Sequence, residues 1–508
     1  MTENSLDAAA PTLPEHDPAT YRRLPARTRP VDPSVVERLL AQEWERFETW
    51  SAGSGEHNKR ASQSLPLGVT SSFQHWDPYP ISVASARGAW LTDVDGNRML
   101  DLSMGFGAML VGHLNPTVVA AVTEALTETG TLFVTPSPQA TEMSERFCQR
   151  FQLDMIRFTN SGTESLMYAI RCARAYTGRK AIVKIEGGYH GGYDGLQISV
   201  KPGLDEIGPA DAPTPQVPFD VEAGTVHVVA YNDLGQLTRV LEEHGSEIAA
   251  FVVEPVIENL SIVVPDAGYL AAVRELCDEH GVVLIFDEVK TGLTAGAAGA
   301  AQRLGVKPDL ITLAKSIGGG LPLAAFGGRR EVMEVVVDGR MAHFGTYNGN
   351  PLVMAAAKAV DEICTPQALA EAEAVNVRAL QAIDAIIDAA HERGVRVFVD
   401  AAQLAPHRPM PANADFVAWS AHRMYAPFGA GVLIGPREVF EDGDPFLAGG
   451  GAVDLVDLDE VVWTDPPERE EAGSPNVLGA VALHAAIDEM TAIGWDRITE
   501  HDRALAHR

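Results

Sequence analysis

Short apolar runs alternate with helix-like stretches between about residues 115 and 330, and this alternation constrains the fold more than any other feature. The apolar runs are IRFTN, AIVKIEG, IAAFVVEPV, VVLIFDEV and LITLAK, and the stretches beside them include PTVVAAVTEALTE and GYLAAVRELCDEHG. Nearly continuous apolar runs between helices are typical of parallel strands that are buried on both faces. We therefore predict an α/β fold in which helices cover a mostly parallel sheet.

Polar residues of reactive types follow each of these apolar runs. They are Asn160-Ser161-Gly162-Thr163, Gly188-Tyr189-His190-Gly191, Glu254, Asp287-Glu288 and Lys315. In open α/β sheets, ligands bind at the carboxyl ends of the strands. We therefore expect the five clusters to form one site.

The segments around Lys315 and Asp287 point to carbonyl chemistry. A lysine amine reacts with carbonyl groups only when it has a carbonyl partner or a depressed pKa. Lys315 precedes the glycine run SIGGG, which we expect to leave room for a bulky ring. Asp287 ends an apolar strand, where a carboxylate is costly unless it is paired, for example with a protonated pyridine nitrogen. A Schiff-base lysine with an acid on a pyridinium nitrogen is the arrangement of pyridoxal-phosphate (PLP) enzymes.

Two further segments suit a phosphorylated aromatic ligand. The turn Asn160–Glu164 joins a strand to the helix SLMYAIRCARAY, and its small residues expose N–H groups and hydroxyls that bind phosphate. Tyr189 has glycines on both sides in GGYHGG, so its ring has space to lie flat against a ligand. Each motif alone also has a structural explanation, such as a helix cap or a solvated strand end. Their order and spacing favour a site.

Residues 60–365 resemble class III PLP-dependent aminotransferases, nearest to the glutamate-1-semialdehyde aminomutase branch. The matching stretches are DVDGNRMLDL, NSGTES, AIRCARAYTGR, EGGYHGGYDG, VVEPV, IFDEVKTG, PDLITLAKSIGGGLPLAAFGG and HFGTYNGNPL. The resemblance implies the PLP-dependent transferase fold of type I, with a mostly parallel seven-stranded sheet in the large domain. It also implies an aminotransferase or aminomutase with PLP as cofactor.

The same resemblance assigns roles to individual residues. Lys315 would form the Schiff base, Asp287 would hold the pyridine nitrogen, and Tyr189 would stack on the ring. The other cofactor-binding residues that it implies are Ser161, Gly162 and Thr163 for the phosphate, Val289 for the opposite ring face, Glu254 near the phenolic oxygen, and Thr346. Thr346 would reach the phosphate of the partner subunit, so a homodimer with shared sites is expected.

The substrate is expected to differ from that of the aminomutase branch. That branch carries an arginine after a Gly-Val-Asn-Ser-Pro run, and the corresponding position in LGVTSSFQHW is Gln74. Glutamine offers no charge, so the bidentate grip on a carboxylate is lost. We predict a transaminase that acts on another amine or amino acid and a carbonyl compound. The alternatives are a catalytically silent dimerisation or binding module and a PLP racemase or decarboxylase.

Residues 386–501 resemble a second family, the class V aminotransferases that include cysteine desulfurases. The motifs are HERGVRVFVDAAQLAPHRP, ADFVAWSAHRMYAPFGAGVLIG and EAGSPNVLGAVAL. The resemblance places Asp400 and Gln403 at the pyridine nitrogen and phenolic oxygen, and His422 at the phosphate. The next residue is the Schiff-base lysine in that family, whereas here it is Arg423, whose guanidinium stays protonated. We expect no PLP catalysis from this fragment. Two such parts in one chain indicate a natural fusion, a joined pair of gene fragments or an engineered chimera.

The sequence divides into four predicted parts. Residues 1–34 form a mobile arm, and residues 35–114 form a helix and a small-domain segment with a hairpin at Asp95-Gly96. Residues 115–365 form the PLP-binding large domain, and residues 366–508 form the class V-like fragment.

Composition excludes several classes of function and location. The net charge of −30 makes nucleic acid or an anionic membrane surface an unsuitable partner. The four cysteines show no metal-ligand spacing, so we expect no metal site. With no secretory signal and no run of apolar residues long enough to span a bilayer, we predict a cytoplasmic protein.

Overall fold

The structure of the protein is a computed structural model. It describes residues 33–200, 202, 213–221, 224–260, 262–402, 413–424, 430–441, 452–456, 461–470, 477–495 and 497–498. The predicted arm and Gln403 therefore lie largely or wholly outside the described residues. The chain divides into two compact units, Ala41–Glu373 and a second unit made of Met1–Leu40 with Ala374–Arg508.

The predicted hairpin is present in a small antiparallel sheet. The first elements are α1 (Pro33–Trp50), α2 (Ala52–Ala61), β1 (Val83–Arg87), β2 (Trp90–Asp93) and β3 (Arg98–Leu100). Strand β2 pairs with β1 on one side and β3 on the other. Asp93 holds the turn because its Oδ1 accepts hydrogen bonds from the backbone of Asp95 at 3.0 Å and of Asn97 at 2.7 Å.

The predicted fold class is confirmed by a seven-stranded sheet in the unit Ala41–Glu373. Its strands are β4 (Met155–Thr159), β5 (Ala181–Ile185), β6 (Val226–Val229), β7 (Ile248–Val253), β8 (Val283–Asp287), β9 (Leu310–Leu313) and β10 (Ala324–Gly328). The spatial order is β4-β10-β9-β8-β7-β5-β6. Strand β10 runs antiparallel to both of its neighbours, and the other pairs are parallel.

Helices cover both faces of this sheet. They are α3 (Pro116–Glu124, followed by a π-helical turn over Ala125–Thr129), α4 (Pro138–Phe151), α5 (Gly162–Thr177), α6 (Asp194–Gln197), α7 (Leu234–His244), α8 (Tyr269–His280), α9 (Thr291–Thr294), α10 (Gly299–Leu304), α11 (Arg330–Val337) and α12 (Pro351–Ile363). Successive strand residues enter opposite cores: Val183 packs in one hydrophobic cluster, and Ile182 packs in the other. The sheet is thus buried on both faces, which explains its continuous apolar runs.

The described part of the second compact unit contains a three-stranded sheet, a two-stranded sheet and two helices that lie wholly within it. Helix α13 (Pro366–Glu392) spans the unit boundary. The elements that follow are β11 (Phe398–Asp400), β12 (Phe416–Ser420), β13 (Gly431–Ile434), α14 (Arg437–Glu441), β14 (Val453–Val456), β15 (Val461–Trp463) and α15 (Val477–Ile493). Strand β11 is parallel to β12, and β13 is antiparallel to it.

The residues expected at a second PLP site are only partly described. Asp400 is exposed at the end of β11, where its Oδ1 accepts a hydrogen bond from the backbone of Ala402 at 3.0 Å. His422 and Arg423 lie in the 3-10 turn Ala421–Met424, but their side chains are outside the described part of the structure. None of the helices in the described part of the chain is long and apolar enough to cross a membrane.

Candidate active site

A cavity of about 270 Å³ opens at the carboxyl ends of five strands, β4, β5, β7, β8 and β9. Its lining residues are Asn160, Ser161, Gly162, Thr163, Leu166, Tyr189, His190, Gly191, Glu254, Asn259, Asp287, Val289, Lys290, Ala314, Lys315, Leu321, Pro322 and Leu323. Each of the five clusters that the sequence analysis placed at strand ends contributes to this lining. Those clusters therefore lie in one place.

Lys315 begins a 3-10 turn immediately after β9. Its φ is +49°, a left-handed conformation that is uncommon for a residue with a side chain. Burial lowers the pKa of the Lys315 amine, and Lys290 lowers it further, whereas the charges of Asp287, Glu254 and Glu258 oppose this shift. A larger share of the amine is consequently neutral than in an exposed lysine, as carbonyl chemistry requires.

The glycine run after Lys315 does not leave room for a ring, so that expectation is wrong. None of Gly318, Gly319 and Gly320 lines the cavity. A Cβ on Gly319 would approach Val360 Cγ2 to 2.9 Å, and one on Gly320 would approach Met109 Sδ to 2.8 Å. Both glycines have positive φ, so they allow a tight turn that packs closely against Val360 and Met109.

Asp287 is buried at the end of β8 with donors on both oxygens. His190 Nδ1 lies 2.7 Å from Asp287 Oδ2. The other oxygen, Oδ1, accepts hydrogen bonds from the Val289 backbone at 3.0 Å and from Thr312 Oγ1 at 3.4 Å. The sequence alone assigns His190 no role, although its place beside Tyr189 between two glycine pairs is a signal for one.

The neighbouring acid, Glu288, has a different environment. It is buried but does not line the cavity. Its carboxylate accepts hydrogen bonds from the backbone of Ala300 at 2.7 Å and of Ala301 at 2.9 Å, and from Thr291 Oγ1 at 2.9 Å. Glu288 therefore anchors the start of α10, and Asp287 is the member of the pair that faces the cavity.

The turn between β4 and α5 exposes the start of a sixteen-residue helix to the cavity. Ser161 caps the helix, since its Oγ accepts a hydrogen bond from the Glu164 backbone at 3.2 Å. Thr163 Oγ1 accepts one from the Gly192 backbone at 3.1 Å, which joins this turn to the loop after β5. A Cβ on Gly162 would lie 3.0 Å from Val289 Cγ2, so the lack of a side chain lets the two segments approach. Unpaired N–H groups at such a helix start attract an anion.

Asn160 links the same turn to a distant loop. Its backbone N–H donates to Glu164 Oε2 at 3.0 Å, and its side-chain amide donates to Asn348 Oδ1 at 2.9 Å. Asn348 belongs to the loop that carries Thr346, which is exposed and does not line the cavity. Within a single chain, Thr346 is thus separate from the other expected cofactor-binding residues.

Glu254 is the residue after β7, and its buried side chain lines the cavity. Burial raises its pKa to about 8, and the nearby Asp287 adds to the shift. Asn259 donates its side-chain amide to Glu254 Oε1 at 2.8 Å and to the Tyr189 carbonyl at 3.3 Å. Burial also raises the pKa of Glu258, one turn further along the chain. At neutral pH, Glu254 consequently favours its neutral form.

Gln74 is exposed and does not line the cavity. Its Oε1 accepts hydrogen bonds from the Thr70 backbone at 3.2 Å and from Thr70 Oγ1 at 2.8 Å. The side chain is therefore engaged within its own loop.

The residues that line the cavity fit a phosphorylated pyridine aldehyde. The start of α5 suits a phosphate, and the buried Asp287 carboxylate suits a protonated ring nitrogen. His190 supports that carboxylate through Nδ1, and its Nε2 is buried without a hydrogen-bond partner among the described residues. Tyr189 is 45% exposed, so its ring has a free face.

Two family patterns match the chain. The class-III aminotransferase pattern matches residues 72–397, and the class-V aminotransferase pattern matches residues 357–508. The class-III match covers more than half of the chain and contains the whole cavity lining.

Named relatives and solved structures resemble large parts of the chain. A glutamate-1-semialdehyde 2,1-aminomutase of Methanocorpusculum labreanum is 44% identical over 298 residues, which cover 58% of this chain and 71% of that protein. An ω-transaminase of Sphaerobacter thermophilus is 36% identical, with a TM-score of 0.58 over 62% of this chain and 73% of its own. A transaminase solved with PLP bound is 27% identical, with a TM-score of 0.62 over 86% of this chain and 99% of its own. The chain therefore belongs to the class-III aminotransferase family and is an enzyme that uses PLP to move amino groups.

Proposed function

We propose that the protein transfers an amino group between a small amine or amino acid and a carbonyl compound, with Lys315 as the lysine that binds PLP. The observation that supports this most is the shared cavity. Asp287 ends β8 there, and Lys315 follows the neighbouring strand β9. When bound, PLP supplies an electron sink for the charge that develops on the substrate carbon beside the amine.

Lys315 has two tasks in this proposal. Because burial lowers its pKa, its Nζ is a nucleophile for the cofactor aldehyde. Once an amine substrate has displaced it, the same Nζ accepts a proton from the substrate carbon and returns a proton later. Glu254 lines the same cavity, and its pKa of about 8 keeps it mostly protonated at neutral pH, so it competes little as a base.

The other lining residues hold and orient the cofactor in the proposal. Asp287, fixed by His190 and the Val289 backbone, stabilises the protonated ring nitrogen. The hydroxyls of Ser161 and Thr163 and the backbone at Gly162 bind the phosphate at the start of α5. Tyr189 and Val289 would contact the two ring faces, and Glu254 would lie beside the phenolic oxygen.

Covalent trapping of the cofactor tests the first step. The protein is mixed with PLP, reduced with borohydride and mapped by peptide mass spectrometry. We expect the label on Lys315 in the wild type and in Lys307→Ala, a control before the opposite end of β9. Lys315→Ala should carry no label there and should form no carbonyl product from any amino donor. A label on another lysine in the wild type would refute the proposal.

The substrate proposal excludes glutamate-1-semialdehyde as a good substrate. Gln74 offers no charge and is held by Thr70, so it provides no ionic grip on that substrate's carboxylate. A direct assay should show little 5-aminolevulinate. Efficient conversion would identify the protein as an aminomutase instead.

We also propose a homodimer in which Thr346 reaches the phosphate site of the partner subunit. The loop that carries Thr346 exposes 80% of Phe344 and 62% of Tyr347, and Phe106 is 54% exposed. Large exposed apolar side chains favour a protein interface. Light scattering during size exclusion should give twice the chain mass, and a monomer that retains full activity would contradict the proposal.

The class V-like part, residues 366–508, is proposed to be catalytically inactive because Arg423 replaces the expected lysine. Lys315→Ala should then abolish every amino-transfer activity of the full chain.

The proposed compartment is the cytoplasm, which agrees with four free cysteines.

A further inference from the structure

Lys290 is a second lysine in the lining of the candidate active site. It is half-buried and lies between Val289 and the short helix α9. Its backbone carbonyl accepts a hydrogen bond from Thr294 Oγ1 at 2.7 Å, which fixes the main chain at this position. Neither the proposed function nor the comparisons give its ammonium group a role.

The charge of Lys290 acts on three other groups of the site. It adds to the fall in the pKa of Lys315 and opposes the rise in the pKa of Glu254 and Glu258. Lys315 and Glu254 also share the cavity lining with it. Even so, no described carboxylate lies within ion-pair distance of Lys290. Thr294 Oγ1 donates to Glu258 Oε1 at 3.4 Å.

The acids near Lys290 do not balance its charge. Neither Glu254 nor Glu258 lies within ion-pair distance of it, and burial raises the pKa of Glu254 to about 8, which favours the neutral form of that carboxyl. The third acid, Asp287, is engaged by His190. An ammonium group in a partly buried cavity without a compensating anion favours an anionic ligand.

Lys290 is also the one ammonium group of the described lining that stays available when PLP is bound. The lining contains two lysines and no arginine, and Lys315 becomes covalently occupied under the proposed function. His190 is committed to Asp287, and Gln74 lies outside the lining.

We propose that Lys290 binds the carboxylate of the amino-group donor, so that the enzyme prefers amino acids to simple amines. This inference rests on the proposed function, because it assumes that Lys315 holds PLP. The carboxylate would take the place of the missing anionic partner beside Glu254 and Glu258. The substrate amine would then be directed toward Lys315 in the same cavity.

A matched pair of donors isolates the carboxylate. 3-Amino-3-phenylpropanoate and 1-phenylethylamine differ only by that group, so the ratio of their kcat/KM values reports its recognition. We expect the ratio to fall about tenfold or more in Lys290→Met, as for the loss of a hydrogen bond to a charged group. Lys290→Arg should keep most of the ratio, because it retains the charge.

A binding measurement removes the dependence on turnover. The PLP-loaded protein is reduced with borohydride, and titration calorimetry then measures its affinity for 3-phenylpropanoate, which has no amine. We expect binding that weakens about tenfold or more in Lys290→Met and survives in Lys290→Arg. Equal affinity in the wild type and Lys290→Met, or no binding to the wild type, would overturn the proposal.

Mass spectrometry of the reduced proteins separates the two hypotheses. Failure to label Lys315 in the wild type refutes the proposed function itself. A labelled wild type with an unchanged donor ratio in Lys290→Met refutes only the role of Lys290. If Lys290→Met instead loses PLP, Lys290 acts on the cofactor, and its role toward the donor is likewise refuted.

Discussion

His190 Nδ1 and Asp287 Oδ2 lie 2.7 Å apart, although the two residues are 97 positions apart in the chain. Both side chains are buried. Asp287 is the last residue of β8, and His190 lies in the loop after β5. The loop that presents Tyr189 to the cavity is thereby tied to the carboxylate that we expect to hold the cofactor.

Replacing His190 should weaken PLP binding without removing its covalent attachment. His190→Ala leaves Asp287 Oδ2 buried without its donor, and the loss of a hydrogen bond to a charged group corresponds to about 10- to 100-fold in affinity. His190→Gln retains a donor and should restore part of the loss. Equilibrium dialysis of PLP measures the effect, and equal dissociation constants for wild type and His190→Ala would contradict it.

Gly191→Ala should disturb the phosphate end of the site. Gly191 has a φ of +91°, and an added Cβ would approach Thr163 Cα to 2.9 Å. We expect a loss of about 1–3 kcal/mol in the free energy of unfolding, together with weaker PLP binding. Gly192→Ala is the matched control, since a Cβ there meets no atom within 4 Å. Urea denaturation compares the two, and equal stability would show that the contact is harmless.

Ser161→Ala should reduce both stability and cofactor affinity. The lost cap of α5 costs about 1 kcal/mol, and PLP should bind about tenfold more weakly because a phosphate donor is gone. Ser137→Ala removes the equivalent cap of α4, whose Oγ accepts a hydrogen bond from Ala140 at 3.2 Å, away from the cavity. That control should lose similar stability and keep its PLP affinity. Parallel losses of affinity in both variants would mean that Ser161 acts only through folding.

The stability of the cofactor-free protein should depend on Glu254. Its pKa is raised from 4.5 to about 8 in the folded state, so folding favours the protonated carboxyl. This contribution is complete below the unfolded pKa and is lost as the pH rises through about 8. Glu254→Gln should flatten the decline in unfolding free energy over this range, by at most about 1.4 kcal/mol per pH unit.

Urea denaturation at a series of pH values measures this slope. The exposed Glu128 provides a control, because Glu128→Gln should leave the slope as in the wild type. Identical slopes for wild type and Glu254→Gln would show that the carboxyl is not held in its neutral form.

The apolar runs were enough to predict five of the seven central strands, because burial on both faces leaves an unbroken apolar sequence. Strand β10 lacks that signature. A Cβ on Gly327 would lie 3.0 Å from Ile156 Cα, and one on Gly328 would lie 2.9 Å from Leu310 Cα. Close approach of the neighbouring backbones therefore requires glycines, which carry little strand propensity.

The members of the site were predictable, but several of their contacts were not. Strand order brings Ser161, Asp287 and Lys315 to one edge, and their residue types indicate the chemistry. Sequence spacing does not reveal that Glu288 turns away to bind the backbone at Ala300, or that Lys290 turns toward the cavity. Those directions depend on packing between elements that are distant in the chain.

The position of β10 has a consequence for the order of events during synthesis. Strand β4 has β10 as its neighbour in the sheet, and their starting points, Met155 and Ala324, are 169 positions apart in the chain. Contacts of such long range form late, because the intervening chain must be closed into a loop first. The turn at Ser161 follows β4, and Lys315 precedes β10. We therefore expect the turn at Ser161 and the Lys315 amine to be aligned, and PLP to bind, only after the chain has been synthesised beyond Gly328.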